Sequence, residues 1–313
     1  MNPRLLEQFL ALAECLHFGR ASDLANVSHS ALSRSIRHLE EEVGARLFDR
    51  DNRSVSLTQE GTQFEIYARD ALQAWNGIKQ KMRGDDGVLN GEISLYCSVT
   101  ASHSILSELL GRLRPSHPGI DIKLHTGNPE LAIARVQSGD EDFAIAARPA
   151  NIPRGLSFRA LQSSPLVFIA PHSHSVPEIP PKGPPKAAEQ WRKVPMILAE
   201  SGLARTRVEQ WFRAMKVTPR IYAQVSGNEA IVSMVSLGLG VGVVPKIVLD
   251  NSALTDRVKL WRVSPSLEPY HLGLFTQTRR LQNPLVLAFW NLTEAGHSTN
   301  HSVNRRMAKM SND

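Results

Sequence analysis

Two cysteines in 313 residues, Cys15 and Cys97, are too few and too far apart for a disulfide framework. Neither they nor the eleven histidines fall at metal-ligand spacing. No nucleophile elbow and no phosphate-binding loop is present, so no motif points to an enzyme. No apolar run approaches the roughly 20 residues that a membrane span needs. The opening stretch MNPRLLEQFLALAECLHFG lacks the basic start and the small-residue cleavage site of an export signal, which makes the cytoplasm the expected location. Lysine is missing from the first 60 residues. Their seven arginines (Arg4, Arg20, Arg34, Arg37, Arg46, Arg50, Arg53) meet nine acids, which leaves the segment at −2 while the whole chain stands at +6. Bulk charge therefore carries no argument for nucleic acid, and the placement of individual arginines must.

What the sequence does have is hydrophobic content of 42%, enough to bury real cores over about two to three domains. The most informative stretch is Phe18 to Val43, FGRASDLANVSHSALSRSIRHLEEEV. Before it, Leu5, Phe9 and Leu12 form one apolar stripe of a helix over about Arg4–Glu14, which Phe18-Gly19 breaks. A second helix follows over about Arg20–Asn26, with Ala21, Leu24 and Ala25 inward. Ser28 is a good N-cap for a third. Its apolar side is Leu32, Ile36, Leu39 and Val43, at steps of 4, 3 and 4. His29, Ser30, Ser33, Arg34 and Arg37 lie on or near the opposite side. Arginine there can take guanine O6 and N7 in a bidentate pair, as a major-groove reading helix requires. Two strand-like runs, 47–50 and 54–57, flank the tip Asp51-Asn52-Arg53 and read as a wing. Arg50 and Arg53 are positioned on it for phosphates or a minor groove.

Thr58 caps a long helix reaching about Arg83. Phe64, Ala68, Ala71, Trp75, Ile78 and Met82 fall on it at alternating steps of 4 and 3. Such a seam predicts a partner helix and a dimer. Gly84–Gly87 and Asn90-Gly91 mark a boundary. Strands then alternate with helices in two sets, which predicts two α/β lobes with mostly parallel sheets and a cleft between them. Residues 173–190 hold five prolines and read as a surface excursion of the second lobe. Gly238-Leu-Gly-Val-Gly242 follows a helix and leads into a strand. A dinucleotide motif needs the reverse order, so this is a tight connection. Cys97 reads as a packed strand-end thiol, because the region has no second cysteine to resolve it.

Phe18-Gly-Arg-Ala, Ala31-Leu-Ser-Arg-Ser-Ile-Arg-His-Leu-Glu40, Gly44-Ala-Arg-Leu-Phe-Asp-Arg50 and Leu57-Thr-Gln-Glu-Gly61 together resemble the N-terminal signature of LysR-type transcriptional regulators. The resemblance runs in the family's order to about Leu292. It implies a winged helix-turn-helix over residues 1–58, a dimerisation helix over 59–87, and a two-lobed effector domain like a periplasmic binding protein over 91–292. Lobe I would be 91–161 with 269–292, lobe II 162–268, and residues 293–313 a disordered tail. Asp49–Arg53, Cys97–Ala101, Ile122–Leu124 with Thr126-Gly127, Asn228–Val235 and Ala288–Trp290 resemble the branch that activates the acetohydroxy acid isomeroreductase gene of isoleucine–valine biosynthesis. Acetolactate or acetohydroxybutyrate would be its inducer, with no cofactor and no metal. Its partners would be an operator duplex, further copies of the chain as homodimer or homotetramer, and RNA polymerase. The alternative is a regulator of another pathway sensing a different small organic acid. Many family members carry Gln-Pro where this chain has His29-Ser30.

The family binds its effector between the lobes. That places Ser98, Val99, Thr100, Ala101 and Ser102 on one wall, joined by Thr126, Gly127 and Asn128. Ser201, Gly202, Asn228 and Glu229 face them from the second lobe. Backbone N–H groups and hydroxyls converge at such strand-to-helix turns and suit a carboxylate.

Overall fold

The computed structural model describes residues 2–50, 54–82, 89–173 and 176–293. Its contacts divide the chain into a unit ending at Leu89 and a unit starting at Asn90.

The first unit begins with α1 (Pro3–Cys15). Asn2 caps it by accepting the Arg4 N–H at 3.0 Å, and Pro3 fills the first position, where no N–H is needed. Leu6, Phe9 and Leu12 are buried. The break falls at Leu16, in the left-handed region at φ 48°, and Phe18-Gly19 instead open α2 (Phe18–Leu24). The His17 ring caps that helix by accepting the Arg20 N–H. Ser28 caps α3 (His29–Val43) as expected, accepting the Ala31 N–H. Leu32, Ile36 and Leu39 are fully buried, whereas Val43, in the last turn, is exposed, as is Leu24. The wing is the antiparallel pair β1 (Phe48–Arg50) and β2 (Val55–Leu57); its tip, with Arg53, lies outside the described residues.

Thr58 caps α4 (Gln59–Met82) by accepting the Gly61 N–H at 2.8 Å. Gly61 is obligatory there, because a Cβ would stand 1.9 Å from the Leu47 carbonyl oxygen. At 1.5 Å per residue the 24-residue helix is about 36 Å long. The expected seam divides along it. Phe64 and Ala68 are buried in the helix-turn-helix core, Phe64 at 4.9 Å ring to ring from Phe9, with Ala71 packed beside them. These three belong to the core of their own unit and are not a free dimer seam. Trp75 and Ile78 are 45% and 47% exposed. The Met82 side chain lies outside the described residues.

In the second unit, the first sheet has the order β4 (Ile120–Thr126), β3 (Gly91–Cys97), β5 (Phe143–Ala147), β12 (Tyr270–Gln277), β6 (Leu156–Ser164). The second has the order β11 (Val258–Trp261), β7 (Leu166–Pro171), β10 (Val241–Pro245), β8 (Pro195–Ala199), β9 (Arg220–Val225). Each is mostly parallel, as expected, with one reversed strand, β12 in the first and β7 in the second. The inner pairs β3·β4, β3·β5, β10·β8 and β8·β9 are parallel. The strands beside the crossings between lobes are antiparallel, because a chain that leaves one sheet and returns to it reverses its direction.

The chain crosses twice. Pro165 links β6 to β7, a few residues later than expected, and residues 262–269 link β11 to β12. The crossings are neighbours, since Ser164 pairs with Tyr270. Arg207 braces the second, donating to the carbonyls of Glu268 (3.2 Å) and Pro269 (2.7 Å).

The helix after β3 starts at Val99, inside the Ser98–Ser102 stretch that reads as a turn in the sequence. A first turn α5 (Val99–Ala101), a π turn (Ser102–Leu106) and α6 (Ser107–Ser116) run on without a break. A 3-10 turn (Pro129–Leu131) leads into α7 (Ala132–Ser138), and α12 (Pro284–Leu292) completes this lobe. The second lobe carries α8 (Ala188–Trp191), α9 (Gly202–Ala214), α10 (Asn228–Ser236) and α11 (Lys246–Asp250). Its core is an aromatic cluster of Phe168, Trp191, Trp211, Phe212 and Trp261. Each such side chain contributes about 1.5–3 kcal/mol on burial. The proline-rich excursion is anchored on this core by the buried Ile179. Gly238–Gly242 joins α10 to β10, as expected.

Candidate nucleic-acid interface and effector cleft

On α3, burial of Leu32, Ile36 and Leu39 turns the other side outward. His29, Ser30, Arg34 and Arg37 are exposed and Ser33 is half-buried, so all five predicted residues stand on or beside one accessible face. His29 rests on Phe18, with ring centroids 5.6 Å apart. Arg50 is differently placed from expectation. Its guanidinium lies over the Phe18 ring at 5.3 Å and pairs with Glu40 at 2.6 Å. The other Glu40 oxygen accepts the N–H groups of Leu47 (3.0 Å) and Phe48 (3.1 Å). One carboxylate of the reading helix thus holds the first wing strand, and Arg50 is part of that clamp.

Two strand-to-helix turns of lobe II and one of lobe I line the cleft, the turn at Ser98–Ser102 lies beside it, and each lobe sends a carboxylate to the other. Ser98 caps α5, its hydroxyl accepting the Ala101 N–H at 3.2 Å. The next free donors, the N–H and hydroxyl of Thr100, both go to one oxygen of Glu229 from α10, at 3.1 and 2.5 Å. In the opposite direction, the Glu130 carboxyl lies against the first turn of α9, beside the Leu203 N–H. The Glu130 carboxyl lies so close to Gly202 that a Cβ there would stand 1.8 Å from its carboxyl carbon. Gly202 also has φ +90°, a second reason for glycine. Partial burial raises the Glu130 carboxyl above its usual range, and the Leu203 N–H opposes this. Burial also raises the Tyr270 phenol, with the nearby Glu130 charge adding to it.

A small, open cleft lies beside this contact. Asn128, Ser201 and Asn228 line it, with Glu130, Glu200 and Tyr270. Among the described residues, two carboxylates line it and no cationic side chain does. An anion in it must therefore be met by N–H and O–H donors.

Two family descriptions match this chain. "Bacterial regulatory helix-turn-helix protein, lysR family" covers residues 3–62, and "LysR substrate binding domain" covers residues 86–297. The chain belongs to the LysR family of transcriptional regulators. It is 40% identical over 296 residues to the HTH-type transcriptional activator IlvY of Salmonella typhimurium, covering 93% of this chain and 99% of the relative. The Haemophilus influenzae activator IlvY is 38% identical, over 92% and 98% of the two chains. Among solved structures, a full-length OxyR variant from Pseudomonas aeruginosa superposes with a TM-score of 0.69 at 21% identity, over 94% of each chain. CbnR, a LysR family regulator, superposes with a TM-score of 0.64 at 19% identity, over 95% and 99%. These two share the fold.

The cleft brings together only part of the predicted LysR effector set. Asn128, Ser201 and Asn228 line it; Ser98, Val99, Thr100, Ala101, Ser102, Thr126, Gly127, Gly202 and Glu229 do not, and the Thr100–Glu229 contact lies beside it. Val99 is 46% exposed, and Ser102 bonds back to the Val99 carbonyl. Gly127 sits against Tyr96, whose hydroxyl donates to the Asn128 carbonyl. Thr100 is buried under Glu229. Glu130, Glu200 and Tyr270 were missed. Glu200 follows a strand and precedes a helix, the same signal that singled out Ser98, and could have been found that way. Tyr270 carried no such signal. No group of three or more His, Cys, Asp or Glu among the described residues could hold a metal, and no helix among them is long and apolar enough to cross a membrane.

Proposed function

We propose that this LysR-type DNA-binding regulator activates the acetohydroxy acid isomeroreductase gene when it binds acetolactate or acetohydroxybutyrate. The observation that carries this is 40% identity to the activator IlvY over 99% of that protein's length. The cleft supports it. A 2-hydroxy-3-keto acid brings one carboxylate and one hydroxyl donor. Helix-turn N–H groups suit the first, and Glu130 or Glu200 the second. The acidic lining also keeps a second reading in play, another small organic acid that carries a donor group.

Its partners in this reading are an operator duplex read by α3, a second copy of the chain, and RNA polymerase at the activated promoter. The effector acts alone, without cofactor, in the cytoplasm. It prefers one arrangement of the lobes, and that differential affinity shifts the population. Calorimetric titration of the purified protein with acetolactate against a panel of other small carboxylates tests it. Saturable binding of acetolactate in preference to the panel is expected; preference for another acid overturns the assignment of the inducer.

A further inference from the structure

Lobe I and lobe II hold each other by exchanged carboxylates. Glu229 leaves the first turn of α10 and takes two donors of Thr100, 129 positions earlier in the chain. Glu130 leaves the Asn128-capped turn of lobe I and sets its carboxyl against Gly202 at the start of α9, beside the Leu203 N–H. Ser201, the N-cap residue of α9, makes no side-chain cap bond of its own, and neither does Gly227 before α10. The donors that a small carboxylate ligand needs are thus already engaged by a carboxylate, in both directions.

We propose that Glu229 is a built-in competitor of the effector. Its carboxylate holds the Thr100 donors in the ligand-free protein, keeps the lobes in that arrangement, and is displaced when a ligand carboxylate takes its place. Glu130 is the mirror-image hold on lobe II. Thr100 is buried and its two donors converge on a single oxygen, so two carboxylates cannot share them. Two anions at one point also repel, which opposes double occupancy. Effector binding then releases a cross-lobe restraint in the same step that fills the site, which is how a small ligand acquires differential affinity for two lobe arrangements.

The proposal rests on the reading of this cleft as the effector site, and its test separates the two. Hydrogen exchange of the Thr100 amide is measured in the full-length wild type and in Glu229→Gln and Glu229→Ala, all without ligand. Glu229 is an exposed residue and its replacement by glutamine is isosteric, so the variants fold. Exchange at Thr100 accelerates about tenfold in Glu229→Ala, where the acceptor is gone, and by less in Glu229→Gln, whose amide oxygen can still accept. Unchanged exchange overturns the hold, whatever ligand the protein binds. The same proteins are titrated with acetolactate and with pyruvate. Loss of the competitor tightens binding about fivefold or more, at the low end of site couplings. Weaker binding by the variants, with faster Thr100 exchange, makes Glu229 a ligand contact and overturns its role as competitor. If neither acid binds any of the three proteins, the reading of the effector fails, and the exchange result alone decides the hold.

Discussion

Glu40 on the reading helix and Arg50 on the wing are joined at 2.6 Å, and the same carboxylate accepts two backbone N–H groups of the wing strand. Neutralising Glu40 leaves Leu47 and Phe48, both buried, with weakened acceptors. An orphaned buried donor costs about 1–3 kcal/mol. Glu40→Ala should lower the stability of the helix-turn-helix by that order in urea unfolding, and Arg50→Ala by less, since its side chain is 30% exposed. Equal stability of Glu40→Ala and the wild type would remove the clamp.

Arg34, by contrast, is exposed and faces outward from the helix-turn-helix core. Arg34→Ala should weaken operator binding by about 1–3 kcal/mol without changing stability. A gel-shift titration checks the first part and thermal unfolding the second. Unchanged operator affinity rules out its reading role.

The division of α4 separates two mutations that the seam alone would class together. Phe64→Ala removes a buried ring and should cost about 3–5 kcal/mol of folding stability. Trp75→Glu should leave the fold intact and loosen self-association, because the ring is 45% exposed in the single chain. Light-scattering mass distinguishes them; a Trp75→Glu mass equal to wild type counts against the exposed half as the dimer contact.

Cys97 is 1% exposed, and burial pushes its thiol up to about 12. The native protein should keep it protonated and resistant to alkylation at pH 8–9, with full reactivity only in denaturant. The thiol is neutral in the fold at a pH where the unfolded chain, near its ordinary 9.0, has begun to ionise. Stability therefore falls as pH rises from about 9 towards 12, and is unaffected by this group below that window. Rapid alkylation of native Cys97 at pH 8 would contradict its packed position.

The N-terminal unit was legible because caps and periodicity are local. Ser28, Thr58 and the triad Leu32, Ile36, Leu39 needed no distant partner. The seam of α4 was legible as a periodicity, but a period does not name what covers it, and Phe9 covers Phe64. The serines after Cys97 read as a turn. In the structure Ser102, Ser104 and Ser107 return their hydroxyls to carbonyls three or four residues back and sit inside one continuous helix. Glu229 stood out from its place at the start of α10, but its partner Thr100 lies on the other lobe, and no local rule pairs them.

The neighbouring crossings at Pro165 and at residues 262–269 have a mechanical consequence. Two adjacent tethers fix an axle between the lobes. Sliding and free twisting are blocked, and opening about that axle remains as the soft motion. Arg207 stiffens one tether at its bearing. Work done by a ligand in the cleft is thereby funnelled into a single angle. A regulator with one angle to change needs few contacts to report it.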